Sequence, residues 1–576
     1  MERRSTPQYD IVIRNGKVFD GTGRPGRIAD LAVAGERVVA VSEHLDGVGR
    51  SEIDAKDNWV LPGFLDIHTH YDVEVEQYPG LDESVRHGVT TVLMGNCSLS
   101  LALGNEQDLL DLYCRVENLS RELLARWLKG KIVWHTVSEY YQHLETLPLG
   151  PNVATLLGHS NVRAQVMGLE RSLREPHAND NEIAKMRSII EEAMSEGFLG
   201  LSIDMLPWHR MDGKRHDNLS IPSQCAGMKE YRALADVVRQ YDRILQSTPN
   251  ALAKKSMLQL ISLSAGLRSK PLRTTIVAAV DVKADRKVYL LLTTLASFAN
   301  RFLRANVRFQ ALAAPFLLYS DGIVSPVFEE FSAGIDALSV TAEERKGMFA
   351  DTTFRTLFRR DWERKGSRAF HRDLADMWIV ASPDPHHIGK SFAQLAAQQG
   401  KEAIEYFMDL ITQYDDQVRW KSVVANDRET SRRYLLAHPF TLPGFNDSGA
   451  HSRNMAFHDG ALQMLQQALN NPQWISIEKA VARLTSEPAT WLGLEVGTLL
   501  PGKQADIVII NPEKLRSGLG DPIEYQDERL DGFMRMVRRS NGIVQQVLIS
   551  GKVAFERGEF TRKFGRERFG RLLRVK

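Results

Sequence analysis

The sequence is short of the features that would place it in several large classes of protein. It holds only 3 cysteines in 576 residues, Cys97, Cys114 and Cys225, too few for a disulfide framework. It has no run of 18 apolar residues, and no apolar segment follows the charged N-terminal residues MERRSTPQYD. We therefore expect a soluble, cytoplasmic protein without a membrane partner.

Charge of one sign is not in excess either. The chain has 73 basic and 72 acidic residues and a net charge of +1, so no global field attracts nucleic acid or an anionic membrane. The C-terminal stretch ERGEFTRKFGRERFGRLLRVK is basic, with Phe and Leu interleaved. It is compatible with nucleic-acid contact, with a subunit seam, or with a solvated and partly docked terminus. We expect a small-molecule ligand and no nucleic-acid partner, and a homo-oligomer remains compatible with the sequence.

Short strands and turns are abundant at both ends of the chain. The first sixty residues include YDIVIRNGKVFDGTG, and IVQQVLISGKVAFERGEF near the other end has the same pattern of short strands separated by turns. One interpretation is a separate C-terminal β domain. We favour one small β-sandwich domain, split between residues 1–61 and 500–576, because ISGKVAF is so similar to IRNGKVFDG.

Between these ends, buried strands alternate with amphipathic helical stretches, which is typical of βα units around a parallel sheet. Eight strands are predicted, at 59–68, 89–96, 152–159, 198–204, 242–248, 274–282, 308–316 and 440–447. Eight strands close a TIM-like (β/α)8 barrel, whose chemistry lies at the C-terminal strand ends. We predict this α/β fold over residues 62–499, with a helical insertion at about 318–437 that packs over the barrel mouth before strand 8.

Side chains suited to metal binding follow several of the predicted strands. In PGFLDIHTHYD, His68 and His70 point to the same side because side chains alternate along a strand. Cys97 in MGNCS, His159 in GHSNVR and Asp447 in FNDSGAH follow strands 2, 3 and 8. Imidazole, thiol and carboxylate groups on one rim favour zinc over magnesium or calcium. Each also has a structural interpretation: a small buried thiol, a histidine bonded to a backbone carbonyl, or an Asx turn.

These motifs carry a resemblance to a known family. PGFLDIHTHYD, MGNCS, GHSNVR and NDSGAH, with the split terminal β unit, resemble the N-acyl-D-amino-acid deacylase (D-aminoacylase) family of the amidohydrolase superfamily. The resemblance spans essentially the whole chain, and the long insertion is similar to that of the subgroup acting on N-acyl-D-aspartate or N-acyl-D-glutamate. It implies that Cys97 is a zinc ligand, that His68 and His70 lie at the adjoining metal position, and that Asp447 is the general base and a further ligand.

The chain departs from the family pattern at strands 5 and 6. Strand 5 ends in LQSTPN, where the family carries a metal-binding histidine, and strand 6 reads VDVK, with Asp281 in place of the histidine of an H-x-K pattern. Aspartate can bind zinc, so we predict Asp281 as a ligand, whereas Gln246 would be at best a weak one. One or two zinc ions are compatible with this set of residues.

The reaction implied by the resemblance is hydrolysis of the amide of an N-acyl-D-amino acid to a carboxylate and a free D-amino acid. Asp447 would accept a proton from water and pass it to the leaving amine, and His159 would stabilise the oxyanion. The substrate carboxylate needs a cation, and Arg163, Lys283 and Arg453 are the predicted partners.

Two other interpretations remain open. A cyclic amidase, similar to dihydropyrimidinase or hydantoinase, uses the same barrel and H-x-H motif but usually has a carboxylated lysine near strand 4, where GFLGLSID offers none. A degenerate barrel without catalysis would account for the missing histidine, and it predicts that the protein binds no metal.

Overall fold

The structure, a computed structural model, describes residues 8–213, 215–216, 218–267, 269–366 and 368–575 of the chain. Within these residues no helix is both long enough and apolar enough to cross a membrane. The chain folds into a barrel, a sheet made from both of its ends, and a long insertion.

The two ends of the chain meet in one nine-stranded sheet. Its strands are Tyr9–Val18, Arg27–Ala34, Arg37–Ser42, Gly49–Asp54, Trp59–Pro62, Ile507–Ile510, Val544–Ile549, Lys552–Glu556 and Glu559–Phe560. Antiparallel pairing of Trp59–Pro62 with Ile507–Ile510 joins the two halves. Side chains from both halves, such as Leu31 and Leu548, share one apolar cluster, so the C-terminal strands are not a separate unit.

Eight parallel strands form the barrel. In chain order, barrel strands 1 to 8 are Phe64–Asp66, Val89–Met94, Asn152–Gly158, Gly200–Asp204, Ile244–Thr248, Arg273–Ile276, Asn306–Ala311 and Thr441–Pro443. Each strand pairs with its neighbours in sequence, and extensions of strands 1 and 8, His68–Thr69 and Phe445–Ser448, pair in parallel and close the ring. The predicted (β/α)8 fold is confirmed. Strand 2, VTTVLM, is buried throughout, as expected for a parallel sheet covered on both faces.

Helices connect the barrel strands, and the sequence marks where they begin and end. The longest helix, Asp180–Glu196, starts at Asn179 in a capping box with Glu182 and ends at Gly197 with a φ of 103°. The helices of the first 310 residues are Glu74–Gln77, Asp82–Val85, Glu106–Tyr113, Arg121–Leu128, Val137–Thr146, His159–Met167, Leu169–Ser172, Asp180–Glu196, Pro222–Cys225, Met228–Gln240, Lys254–Ser264 and Val288–Phe302. Those after strand 8 are Gly460–Asn470, Ile477–Leu484, Ser486–Leu492 and Pro512–Ser517.

The insertion between strands 7 and 8 has its own core. Its helices are Ser332–Leu338, Ala342–Ala350, Thr352–Glu363, Phe392–Gln398, Ala403–Tyr414 and Glu429–Ala437. They surround an antiparallel sheet of three strands, Phe316–Asp321, Arg419–Ala425 and Trp378–Ala381. Sequence analysis predicted the helices but not this sheet. Near-parallel rings of Phe328, Phe358 and Phe407 stack at the centre of the core.

The basic C-terminal tail docks against the barrel. Backbone bonds join Val153 N to Arg571 O (3.0 Å), Leu573 N to Val153 O (2.7 Å) and Val575 N to Gly197 O (3.1 Å). Leu572, Leu573 and Val575 are buried. The tail therefore covers the N-terminal end of the barrel, and the docked terminus is the interpretation that the structure supports.

Candidate metal centre and its cavity

Three predicted ligands converge at the C-terminal end of barrel strands 1 and 2. His68 Nε2 lies 3.2 Å from His70 Nε2 and 3.5 Å from Cys97 Sγ, and the donor atoms of all three residues lie within 4.8 Å of one another. All three side chains are buried. Lone pairs so close together and away from water repel one another, and a bound cation or a proton removes that repulsion.

The spacing of these donors fits a zinc ion. Tetrahedral zinc, with Zn–N about 2.05 Å and Zn–S about 2.3 Å, separates two nitrogens by about 3.3 Å and a nitrogen from a sulfur by about 3.6 Å. The observed separations are 3.2 Å and 3.5 Å. Two imidazoles and one thiol are also a donor set that zinc prefers. Burial raises the pKa of the Cys97 thiol to about 11, so a cation is needed to hold it as a thiolate at neutral pH.

The turn after strand 2 places the side chain of Cys97 next to the two histidines. Cys97 and Ser98 both adopt the left-handed region, with φ of 50° and 64°, which is costly for residues with a side chain. Gly95 precedes them with a φ of 76°, and a Cβ there would lie 2.1 Å from Leu156 O. The side chain of Gln246 accepts the Cys97 N–H (3.0 Å), and the Thr248 hydroxyl donates to Sγ (3.3 Å). Strand 5 therefore holds the turn in place although it supplies no histidine.

Glu117 fixes the orientation of His70, a contact that sequence analysis missed. Its Oε1 lies 2.8 Å from His70 Nδ1, and both side chains are buried. A carboxylate at Nδ1 keeps the proton on that nitrogen and leaves Nε2 free as a donor, as in carboxylate–histidine–zinc triads. Glu117 follows the helix Glu106–Tyr113 rather than a strand, so no motif in the sequence points to it.

Asp447 lies beside the three donors. Its Oδ1 is 3.4 Å from His70 Nε2 and 3.7 Å from His68 Nε2, and its side chain is 18% exposed. Burial alone would raise the pKa of Asp447, but contacts with His70, His68 and His451 outweigh it and lower the pKa to about 2. Asp447 is therefore ionised at neutral pH, with a carboxylate oxygen available next to the donors. Its φ of 53° is a further strained position at this rim.

A large cavity lies next to this rim, on the side of His209 and His451. Its volume is about 850 Å³, and its wall combines the loop after the helix Glu106–Tyr113, the loop after strand 4 and the insertion. His209 and His451 line it, and both are close enough to act electrostatically on one another and on His70. His209 Nδ1 lies 2.8 Å from Asp204 Oδ2 at the end of strand 4. Burial lowers the pKa of His209, but Asp204 outweighs burial and leaves it above its ordinary value.

His159 and Arg163 lie elsewhere, and we withdraw them from the site. His159 Nε2 contacts Glu230 Oε1 (2.8 Å) and Nδ1 contacts Ser223 Oγ (3.0 Å), so both ring nitrogens are already paired. Arg163 donates to the same Glu230 carboxylate from Nε (3.1 Å). The three side chains form a buried ionic cluster between the helices His159–Met167 and Met228–Gln240. The position of His159 at the end of a strand did not indicate that the Glu230 carboxylate would pair with it.

Asp281 is likewise not part of the metal centre. Arg428 grips it in bidentate fashion, with both N–O distances at 2.6 Å, and the Ser431 hydroxyl donates to it. The helix Glu429–Ala437 and the residue before it supply these partners, which no inspection of strand 6 alone could identify. The structure therefore gives strand 6 no direct ligand.

The two remaining predicted cations have carboxylate partners of their own. Lys283 Nζ pairs with Asp376 of the insertion. Arg453 binds Asp321 from Nε (2.8 Å) and also pairs with Glu524. Neither side chain is among the residues that line the cavity.

The chain is similar to several known proteins. Residues 51–243 and 331–555 match the model of the amidohydrolase family. An uncharacterised protein of Mycobacterium tuberculosis is 40% identical over 572 residues, 97% of this chain and 94% of that protein. D-aminoacylase of Alcaligenes xylosoxydans xylosoxydans is 34% identical over 206 residues, 35% of this chain and 39% of that protein.

A solved structure extends the likeness to the whole fold. It is the N-acyl-D-glutamate deacylase of Bordetella bronchiseptica, complexed with zinc and a phosphonate inhibitor. The TM-score is 0.63 at 21% identity, covering 98% of this chain and 99% of that one. The family resemblance inferred from the motifs is confirmed.

Proposed function

The chain belongs to the amidohydrolase family, and from that membership we propose that it is a zinc-dependent deacylase of N-acyl-D-amino acids. The observation that carries the proposal is the convergence of His68, His70 and Cys97 beside Asp447, next to a cavity whose lining includes His209 and His451. The similarity to proteins named D-aminoacylase and N-acyl-D-aspartate deacylase supports the choice of substrate class.

His68, His70 and Cys97 would hold the zinc ion, and Glu117 would orient His70. Such an ion lowers the pKa of water toward about 7 and polarises a carbonyl group. Three protein donors with a carboxylate beside them are typical of a catalytic zinc site, which keeps one position open. The chain therefore supplies both the ligands and the space that an amide substrate needs.

Asp447 moves the proton in this proposal. Its Oδ1 accepts the proton of the attacking water and then passes it to the nitrogen of the leaving amine. Because contacts with the histidines keep Asp447 ionised at neutral pH, it is in the state that can accept a proton. A carboxylate with so low a pKa is a weak base, so the transfer depends on the lower pKa that a bound cation would give the water.

We propose that His209, rather than His159, stabilises the oxyanion that develops on the carbonyl oxygen. His209 lines the cavity, and Asp204 accepts from its Nδ1, which fixes the ring and leaves Nε2 as the second polar atom. A positioned donor next to a developing oxyanion is worth about 3–4 kcal/mol of transition-state stabilisation.

Arg115 and Arg121 are the arginines that line the cavity, and we propose that they attract the substrate carboxylate. Glu329 holds Arg115 in bidentate fashion and Asp212 binds Arg121, so both guanidinium groups are fixed in position. The cyclic-amidase alternative gains nothing from the structure, because strand 4, Gly200–Asp204, carries no lysine.

Amine release from paired N-acetyl-D- and N-acetyl-L-amino acids tests the proposal. We expect release from the D series, and Asp447→Asn should lower kcat at least about a thousandfold while zinc stays bound, because only the proton carrier is lost. His209→Gln should lower kcat about a hundredfold or more in the same assay. Asp57→Asn is a matched control, since Asp57 also has a positive φ but is exposed and distant from the site. Full turnover by Asp447→Asn would exclude it as the base.

A further inference from the structure

The carboxylate of Glu117 has no anchor except His70 among the residues that the structure describes. Both of its oxygens are buried, and the contact of Oε1 with His70 Nδ1 (2.8 Å) is the one ion pair that either forms there. Its position therefore depends on the backbone that carries it. Glu117 N donates to Tyr113 O (2.9 Å), and Glu117 O accepts from His451 N (3.2 Å) in the segment 444–454 that follows strand 8. The same segment carries Asp447, so one stretch of chain supplies one carboxylate of the centre and holds the other.

Asn454 ties this segment to the insertion and to the residue next to Glu117. Its side chain is fully buried. Nδ2 donates to Tyr319 O (2.8 Å) and Val324 O (3.0 Å) of the insertion. Because those two carbonyl oxygens take both N–H groups, only Oδ1 is left for Asn118, whose Nδ2 donates to it (2.6 Å). Three segments of the chain therefore meet at one amide.

The segments that Asn454 joins hold strained backbone. Asn118, Asp447 and His451 all lie in the left-handed region, with φ of 53°, 53° and 42°. Such conformations persist where the surrounding contacts enforce them. The backbone of Asn454 adds two such contacts, from its N–H to His451 O (2.6 Å) and from Tyr319 N to its own carbonyl oxygen (2.9 Å). Loss of the Asn454 contacts would allow these turns to relax.

We propose that Asn454 is a positioning residue of the metal centre, which acts by holding Asn118 and so keeps the Glu117 carboxylate beside His70. The proposal rests on the zinc site proposed above. Asn454 is neither one of the three converging donors nor part of the cavity wall, so its effect on zinc passes through its neighbours. Aspartate at this position could not donate to two carbonyl groups, and leucine could neither donate nor accept. The insertion thus contributes to the zinc site without supplying a ligand.

Zinc affinity, measured by competition with a chelator of known affinity, tests the proposal. Asn118→Gly removes the amide that bonds to Asn454 and keeps a residue that adopts a positive φ freely. It should raise the zinc dissociation constant at least about threefold, an effect within the range of coupling between residues in one network. Asn454→Leu removes all three side-chain bonds and should raise the constant further. An unchanged constant in both variants would overturn the proposal.

Combination with Glu117→Gln separates positioning from a general loss of stability. Glu117→Gln removes the charge that Asn118 holds in place in this proposal. In that background, Asn118→Gly should change the zinc dissociation constant less than about twofold, because its effect passes through the missing charge. A general loosening of the fold would instead give the same fold-change in both backgrounds, and that result would overturn the proposal.

Asn152→Leu is a matched control at the other end of the barrel. Asn152 is also fully buried, and its amide donates to Thr90 O (2.9 Å) and Asp506 Oδ2 (2.8 Å) and accepts from Gln504 Nε2 (3.0 Å). Like Asn454→Leu, it should lower the unfolding temperature, because buried polar partners are left unpaired. It should leave the zinc dissociation constant unchanged, and an equal loss of affinity would overturn the proposal.

Failure of this proposal is distinguishable from failure of the proposed function. A wild type that binds no zinc would overturn both together. Equal fold-changes in the two Glu117 backgrounds, in a chain that binds zinc, would overturn the role of Asn454 alone.

Discussion

At the scale of single residues, the candidate metal centre includes a carboxylate that no barrel strand supplies. Glu117 Oε1 lies 2.8 Å from His70 Nδ1, and both side chains are buried. A charged partner at that nitrogen orients the ring, so the zinc affinity of the centre should depend on Glu117.

Substitution of Glu117 tests its contribution to zinc binding. Glu117→Gln keeps the size of the side chain but removes the charge next to His70 Nδ1, so zinc affinity should fall by about 10–100-fold. Competition with a chelator of known affinity measures this change. Glu76→Gln is a matched control, because Glu76 also contacts a histidine, His143 (2.8 Å), away from the metal centre. Equal zinc affinity in the two variants would contradict the role of Glu117.

Sequence reasoning placed together the residues whose position depends on the backbone alone. His68, His70, Cys97 and Asp447 lie close together because the C-terminal ends of barrel strands meet. It could not predict the partner of Asp281, whose carboxylate is held by Arg428, 147 residues away along the chain. Glu117 and His209 were missed because they lie in loops, whose course a strand pattern does not predict.

At the scale of elements, the helices around the barrel are tied together by buried ion pairs that the sequence pattern does not show. The periodicity of EIAKMRSIIEEAMSEG predicts a helix, and the structure has it, but periodicity cannot show which charged residues turn inward. Glu230 on the helix Met228–Gln240 meets His159 and Arg163 in this way. This pairing supports a structural role for both, in place of the catalytic role predicted for His159 and the substrate-binding role predicted for Arg163.

Removal of Glu230 tests that structural role. Glu230→Gln leaves Arg163 buried without a counter-charge, so the free energy of unfolding should fall by about 3 kcal/mol while zinc content is unchanged. Glu567→Gln, which breaks an exposed pair with Lys563, should cost at most about 1 kcal/mol. Chemical denaturation measures both. Lost zinc without lost stability would return His159 and Arg163 to the site.

The effect of Glu230 should depend on pH. Burial raises the pKa of Glu230, but His159 and Arg163 outweigh burial and hold it below the ordinary value of 4.5. A depressed pKa in the folded state contributes stability above pH 4.5 that is lost as the pH falls through the folded value. The difference between the wild type and Glu230→Gln should therefore shrink on acidification below that pH.

At the scale of the whole molecule, the alternation of strands and helices was enough to predict the barrel, its order and the place of the insertion. Once eight strands are recognised in a series of βα units, few topologies other than a closed barrel remain. The three-stranded sheet of the insertion was missed because aromatic residues such as Trp420 are common in both helices and strands. The sequence did not decide where the C-terminal tail lies, because its basic residues would suit several kinds of surface.

Deletion of residues 569–576 tests the contribution of the tail. The tail buries Leu572, Leu573 and Val575 and bonds to Val153 and Gly197. Burial of each such side chain is worth about 1.5–3 kcal/mol, so the shortened chain should unfold at a clearly lower temperature. Calorimetry measures the shift. An unchanged unfolding temperature would mean that the tail adds nothing to the barrel.

The most direct test of the metal centre is the zinc content per chain of protein purified without added metal. We expect one or two equivalents in the wild type and in a Cys225→Ala variant, whose cysteine is half-buried elsewhere, and a clear loss in Cys97→Ala. Cys97 provides the only sulfur among the three converging donors, so its removal should weaken the site most. A wild type without zinc, or a Cys97→Ala variant with full zinc content, would contradict a zinc site at His68, His70 and Cys97.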